Sequence, residues 1–227
     1  MTNFASNLGK KIKIKMDEHL LRFDKKKTLV FIDCETENLC LNSCHNLAWQ
    51  IAMIKSVGGK KVAEKNFYIK WDRELNISKE AARITRFNVK KYKDDAVDFR
   101  QVFPTIKDWL DDADHIVGHN VLGFDIYVIR GLYKKVGEDC THLLKKIVDT
   151  YCIAKGIEMG MHYDPKTSLI EYQYRMMHKR KRGLKTGLGT LGKILKIDHD
   201  YTKLHDAIVD LELNLKVWNH YKYQIEI

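Results

Sequence analysis

"TLVFIDCETEN", residues 28–38, opens with five residues suited to the buried middle of a β-strand and then turns acidic, with Asp33, Glu35 and Glu37 at alternate positions. Side chains alternate faces along a strand, so Asp33 and Glu35 project to one side and can converge on a point. Carboxylates brought together repel, and an unpaired carboxylate pays heavily to leave water. Such a cluster is therefore tolerated mainly where a cation sits between its members. An all-oxygen donor set suits hard divalent ions, Mg²⁺ or Mn²⁺, rather than zinc. Taken by itself, the stretch reads equally well as a solvated turn after a strand.

Working outward, "LAWQIAMIKSV" and "KVAEKNFYIKW" follow as two more strand candidates, joined by short polar or glycine-bearing turns that suit an antiparallel meander. Helical segments are expected around "ISKEAARIT" and from about Ala96 to Leu110, then a short apolar strand, "HIVG". Leu122, Ile126, Ile129 and Tyr133 mark another helix, "KIVDT" a fifth strand, and Leu204, Ile208, Leu211, Leu215 and Trp218 a long final helix. The order predicts an α/β fold: a mixed five-stranded sheet with helices on both faces. Residues 1–27, rich in lysine and weakly periodic, are read as a basic N-terminal extension, and residues 28–227 as one domain with a basic loop insertion over about 155–187.

Two further stretches add acids. "VGHNVLGFDIYVIRGLY" sets Asp125 near the start of a helix that follows a short strand, and "YTKLHDAIVDLELNL" sets His205 and Asp210 in the first turns of the last helix. Asp210 lies off the main apolar stripe yet shares a second face with Leu213 and Val217, which argues for a buried helix and an acid with a purpose.

The ordered set "DCE", "HNVLGFD", "HDAIVD" resembles the three motifs of the DEDDh superfamily of 3′–5′ exonucleases, which includes replicase proofreading subunits, ribonuclease T and oligoribonuclease. The likeness spans about residues 28–217, and "ISKEAARIT" resembles the segment between the third strand and the second motif. It departs after the first acid pair, where the family commonly has Thr-Thr-Gly and this chain has Thr36, Glu37 and Asn38. The resemblance implies a ribonuclease H-like fold and a site in which Asp33, Glu35, Asp125 and Asp210 hold two Mg²⁺ or Mn²⁺ ions, with His205 as the group that accepts a proton from water. Thr36, Asn120 and Phe124 fall on positions that approach the substrate. Five residues advance about 140° around a helix, so His205 and Asp210 cannot share a face within one; His205 is expected in the lead-in to the helix or on a loop that closes on substrate.

Lys and Arg outnumber Asp and Glu by 40 to 30, a net charge of +10 that favours polyanions as partners. "YQYRMMHKRKRGLKTGLGTLGK" concentrates cations and tyrosines, and Arg180, Lys181 and Arg182 are expected to guide a single strand toward the site. The expected partners are single-stranded nucleic acid or 3′ ends, DNA favoured over RNA, and a replication polymerase. An exoribonuclease or a catalytically silent binding module on the same fold are the alternatives. Five cysteines at irregular spacing argue for a reducing, cytoplasmic setting, and no run approaches a membrane span. "GLGTLG" lacks the strand that a dinucleotide-binding turn requires, Cys40, Cys44 and His45 lack a fourth zinc ligand, and the four tryptophans are assigned to packing.

Overall fold

The computed structural model describes residues 20–23, 25–41 and 46–227. Most of the expected basic extension, and Cys44 and His45, lie outside the described residues. Leu20 is buried and the Leu21 amide donates to the Ile227 carbonyl at 2.6 Å, so the end of that extension packs with the domain.

Six strands form one sheet in the order β4-β3-β2-β1-β5-β6. They are β1 (Thr28–Thr36), β2 (Ala48–Val57), β3 (Lys60–Lys70), β4 (Val97–Asp98), β5 (His115–Gly118) and β6 (Ile147–Asp149). The three-strand meander and the two later strands stand where the apolar runs place them. β4 is additional: the region expected as helix from Ala96 starts with two residues that pair parallel with Ile69 and Lys70. Helix α1 (Lys79–Thr85) starts at the Ser78 cap, and α2 (Val89–Asp95) and α3 (Phe99–Asp112) flank β4. Then come α4 (Asp125–Lys135), α5 (Thr150–Glu158), α6 (Leu169–His178), α7 (Leu188–Ile194) and α8 (Ala207–Tyr221). The stretch 155–187, expected as a loop, therefore carries α6, whose Tyr172, Gln173 and Met176 are buried.

β1 lies at the centre, antiparallel to β2 and parallel to β5, and Val30, Phe31 and Ile32 are sealed from solvent. Its two faces feed two cores. Val30, Ile32 and Cys34 pack in the core with α3 and α4; Leu29 and Phe31 pack in the core with α5, α6 and α8. By strand alternation Asp33 and Glu35 continue the second face, the one α8 crosses. Pairing of β1 with β5 stops at Phe31 and Val117, so the last residues of β1 stand in a notch at the carboxyl end of the sheet, where sites in such sheets form. At the outer edge, the Gln173 side chain accepts from the Asp149 amide (2.6 Å) and donates to the Ile147 carbonyl (3.0 Å), satisfying the free side of β6 as another strand would.

Candidate active site

The alternation that aims Asp33 and Glu35 together breaks immediately after them. Glu35 faces Gln50 across the ladder but Thr36 faces Ala48, so Trp49 is an extra residue, a bulge that turns the end of β1. Glu37 is diverted into the protein. It is 1% exposed, pairs with Arg73 at 2.7 Å and accepts from the Asn76 and Leu47 amides. Burial pushes its carboxyl up, but those donors outweigh burial and hold it below its ordinary value. Thus, of the three alternating acids, two form a site and the third braces the loops beneath it.

Asp33, Glu35 and Asp210 offer carboxylate oxygens within 4.8 Å of one another. Asp210 arrives from the first turn of α8, whose Leu211, Leu213 and Val217 are buried, as the second apolar face requires. Asp125 is the first residue of α4 and is 4% exposed; its Oδ1 accepts the Cys34 amide at 3.0 Å, which ties α4 to the strand between the two acids.

Electrostatics describe a site short of positive charge. Burial first, then Asp125, Glu35 and Asp210, push the Asp33 carboxyl well above its ordinary value. Burial and the charge of Asp210 raise Glu35 to about 8. Burial also raises Asp125 to about 7 and Asp210 to about 6, against the hydrogen bonds each receives. The Oδ1 of Asp210 is buried with no hydrogen-bond partner among the described residues, although buried carboxylate oxygens are normally satisfied. An orphaned oxygen in an all-carboxylate cluster fits a hard divalent cation.

His205 lies before α8, not in its first turn. Its φ is 71°, its side chain is exposed, and its amide donates to Asp210 Oδ2 at 3.2 Å. Asp206, not His205, caps α8. His205 also lines a cleft of about 190 Å³ with Trp49, Gln50, Tyr68, Arg86 and Lys203. None of the four acids lines this cleft; it adjoins them through His205, whose amide meets Asp210, and through Gln50, the ladder partner of Glu35.

The residues expected to touch substrate are placed unequally. The Thr36 hydroxyl is spent on the Asn38 carbonyl and the Asn46 side chain. Asn120 takes a left-handed φ of 68°, which asparagine tolerates, and its side chain lies where a Cβ on Gly123 would be. Phe124 caps α4 by position and packs partly against the core. Arg180, Lys181 and Arg182 are exposed and line a separate concavity. Sequence reasoning missed Gln50, Tyr68 and Arg86 in the cleft, and Asp149, which is wholly buried and receives the amides of Asn120, Leu122, Tyr151 and Cys152. A lone glutamine inside the apolar run "AWQIAMI" was the available signal for Gln50; the partners of Asp149 are long-range and left none.

Comparison with known proteins places these features in a family. The exonuclease family model RNase_T matches residues 30–218. The PolC-type DNA polymerase III of Mycoplasma pneumoniae is 24% identical over 204 residues, 89% of this chain but 12% of that protein. Among solved structures, Escherichia coli exonuclease I in complex with a dT13 oligonucleotide superposes with a TM-score of 0.67 at 18% identity, over 87% of this chain and 41% of that one. The zinc-bound complex of the same enzyme with single-stranded DNA gives 0.67 at 16% identity, over 88% and 41%. The chain thus spans about 12% of the polymerase and less than half of exonuclease I.

Proposed function

The chain belongs to the exonuclease family, and from that membership we propose that it is a metal-dependent 3′–5′ exonuclease that releases nucleoside 5′-monophosphates from single-stranded nucleic acid, DNA in preference to RNA. The observation that carries the reading is the meeting of Asp33, Glu35 and Asp210 around an oxygen with no partner, with His205 at its edge. The complexes of exonuclease I with dT13 and with single-stranded DNA support a single strand as substrate. The match to a PolC-type polymerase supports a replication polymerase as protein partner.

In this reading Asp33, Glu35, Asp210 and Asp125 hold two Mg²⁺ or Mn²⁺ ions. When bound, these supply the positive charge that neutralises the phosphate oxygens and acidifies water. The chain does the rest. The bulged Trp49 lines the cleft beside Gln50, the ladder partner of Glu35, and Arg86 offers a phosphate-pairing cation to the terminal nucleotide. Water attacks phosphorus, its proton passes to the His205 imidazole, and the bond to the 3′-oxygen of the preceding nucleotide breaks, leaving a new 3′-hydroxyl that takes its proton from solvent. Because His205 sits outside the helix on a left-handed residue, it can close over a bound end without disturbing α8.

The test is stepwise hydrolysis of 5′-labelled oligonucleotides by wild type and His205→Ala. The variant should retain strand binding and lose about 10²–10⁴-fold in kcat. A variant as fast as wild type would remove His205 from the mechanism, and faster loss of RNA than of DNA would reverse the assigned preference.

A further inference from the structure

A second concavity, about 450 Å³, is lined by Tyr151, Lys155, Lys179, Arg180, Lys181 and Arg182, closed by Leu184 and Thr186. Five of its residues are cationic and none is acidic. Some cations elsewhere are compensated, as Lys27 by Asp114, Lys61 by Glu212 and Lys107 by Glu138. In this concavity no cation makes an ion pair among the described residues.

Lys155 is the informative member. It is 5% exposed, its ammonium donates to the Met177 carbonyl at 3.0 Å and to the Tyr151 hydroxyl at 3.4 Å, and it lies 5.1 Å from the Tyr151 ring centroid. A carbonyl, a hydroxyl and a ring face partly offset the loss of water, but they carry no counter-charge, and an anion would supply one. A solvated basic loop would leave its lysines in water; this fold draws one inward at the base of a basic hollow.

The hollow is fixed to the catalytic loop. Burial holds His119 neutral, with its pKa pushed down to about 4, so its Nε2–H donates to the Thr186 carbonyl at 2.9 Å. Its Nδ1 lies 3.0 Å from the Thr150 hydroxyl, and the next residue, Asn120, is held by Asp149. The wall formed by Thr186 and Tyr151 is therefore one bonded unit with the loop that delivers Asp125.

We propose that this hollow is a second phosphate subsite, which takes a backbone phosphate of the strand whose 3′ end occupies the acid cluster. The inference rests on the proposed function: a strand entering by its 3′ end can continue only in the 5′ direction, and an uncompensated basic hollow bonded to the catalytic loop is a place for it to pass.

Binding of a fluorescent dT12 strand to the full chain, measured by anisotropy in EDTA over a range of salt, tests it apart from hydrolysis. Lys155→Met, and separately the surface pair Lys179→Gln/Arg182→Gln, should each weaken binding about tenfold and lower the salt slope by about 1 to 2; Lys145→Gln, an exposed lysine elsewhere, should do neither. If Lys155→Met unfolds, the surface pair decides. Slopes equal to wild type for the surface pair would overturn the subsite while leaving the exonuclease reading intact. The expected slope losses in the variants, beside a wild type that degrades nothing in Mg²⁺, would overturn that reading and keep a strand-phosphate site in the hollow. Displacement of dT12 by inorganic phosphate as effectively as by unlabelled strand would show a small-anion site and overturn the assignment to a strand.

Discussion

Among the described residues Asp210 pairs with no cation, and it caps no helix, yet it sits in the first turn of a buried helix facing two other acids. Protonation relieves the repulsion when no metal is bound. All four site carboxyls are raised in the folded chain, Asp210 to about 6, Asp125 to about 7, Glu35 to about 8 and Asp33 well above its ordinary value, whereas unfolded carboxyls titrate near 4. The native state then holds more protons than the unfolded one across pH 5–8, so metal-free stability falls as pH rises through that window. Mn²⁺ competes with those protons. The melting temperature should rise by several degrees on adding Mn²⁺ at pH 8 and little at pH 5, and Asp33→Asn should abolish that difference and cut kcat by about 10³-fold. An equal Mn²⁺ shift at both pH values would contradict the cluster. At this scale much was legible: alternation alone aimed Asp33 and Glu35 together, and the two-sided apolar pattern marked the helix that carries Asp210 as buried, with Asp210 itself half-buried. The partner of Glu37 was not, because Arg73 lies 36 residues away and the bulge that turns Glu37 inward depends on register, which one strand's sequence does not contain.

The loop between β5 and α4 shows how elements position a side chain they do not carry. Asp149, at the end of β6, caps α5 and also receives the amides of Asn120 and Leu122, so one buried carboxylate sets the path of the chain that leads to Asp125. Asp149→Ala should remove the cap and leave buried amides unsatisfied, costing about 2–4 kcal/mol by denaturant titration and lowering activity beyond what the lost stability explains. Activity fully restored at a temperature where the variant is folded would contradict the positioning role. β1, β2, β5 and β6 were readable because their apolar runs are largely sealed on both faces, whereas β3, mostly exposed, was readable from the glycine-bearing turn that pairs it with β2. β4 was not, since two residues carry no period, and α6 was hidden because its buried residues, Tyr172, Gln173 and Met176, are set among cations that read as a solvated loop. The beginning of α8 was misplaced for a related reason: Leu204 fits the helical stripe, but His205 is left-handed and the helix starts at Ala207.

For the molecule as a whole, a net charge of +10, the acid cluster and the basic hollow are the features by which, in the proposed reading, the protein would draw in a polyanion and cut it at the cluster. Cluster and hollow are fixed by hydrogen bonds to the one loop between β5 and α4, directly through Asp125 and by way of His119. The basic hollow and the cleft lie outside the three motifs, and their composition was visible in the sequence whereas their concavity was not. The most direct measurement is the digestion of a 5′-labelled single-stranded DNA in Mg²⁺ beside the same strand with a blocked 3′ end. Shortening of the free strand one nucleotide at a time, with 5′-monophosphates released and the blocked strand intact, is the predicted result; no shortening, or equal cutting of both, would contradict it.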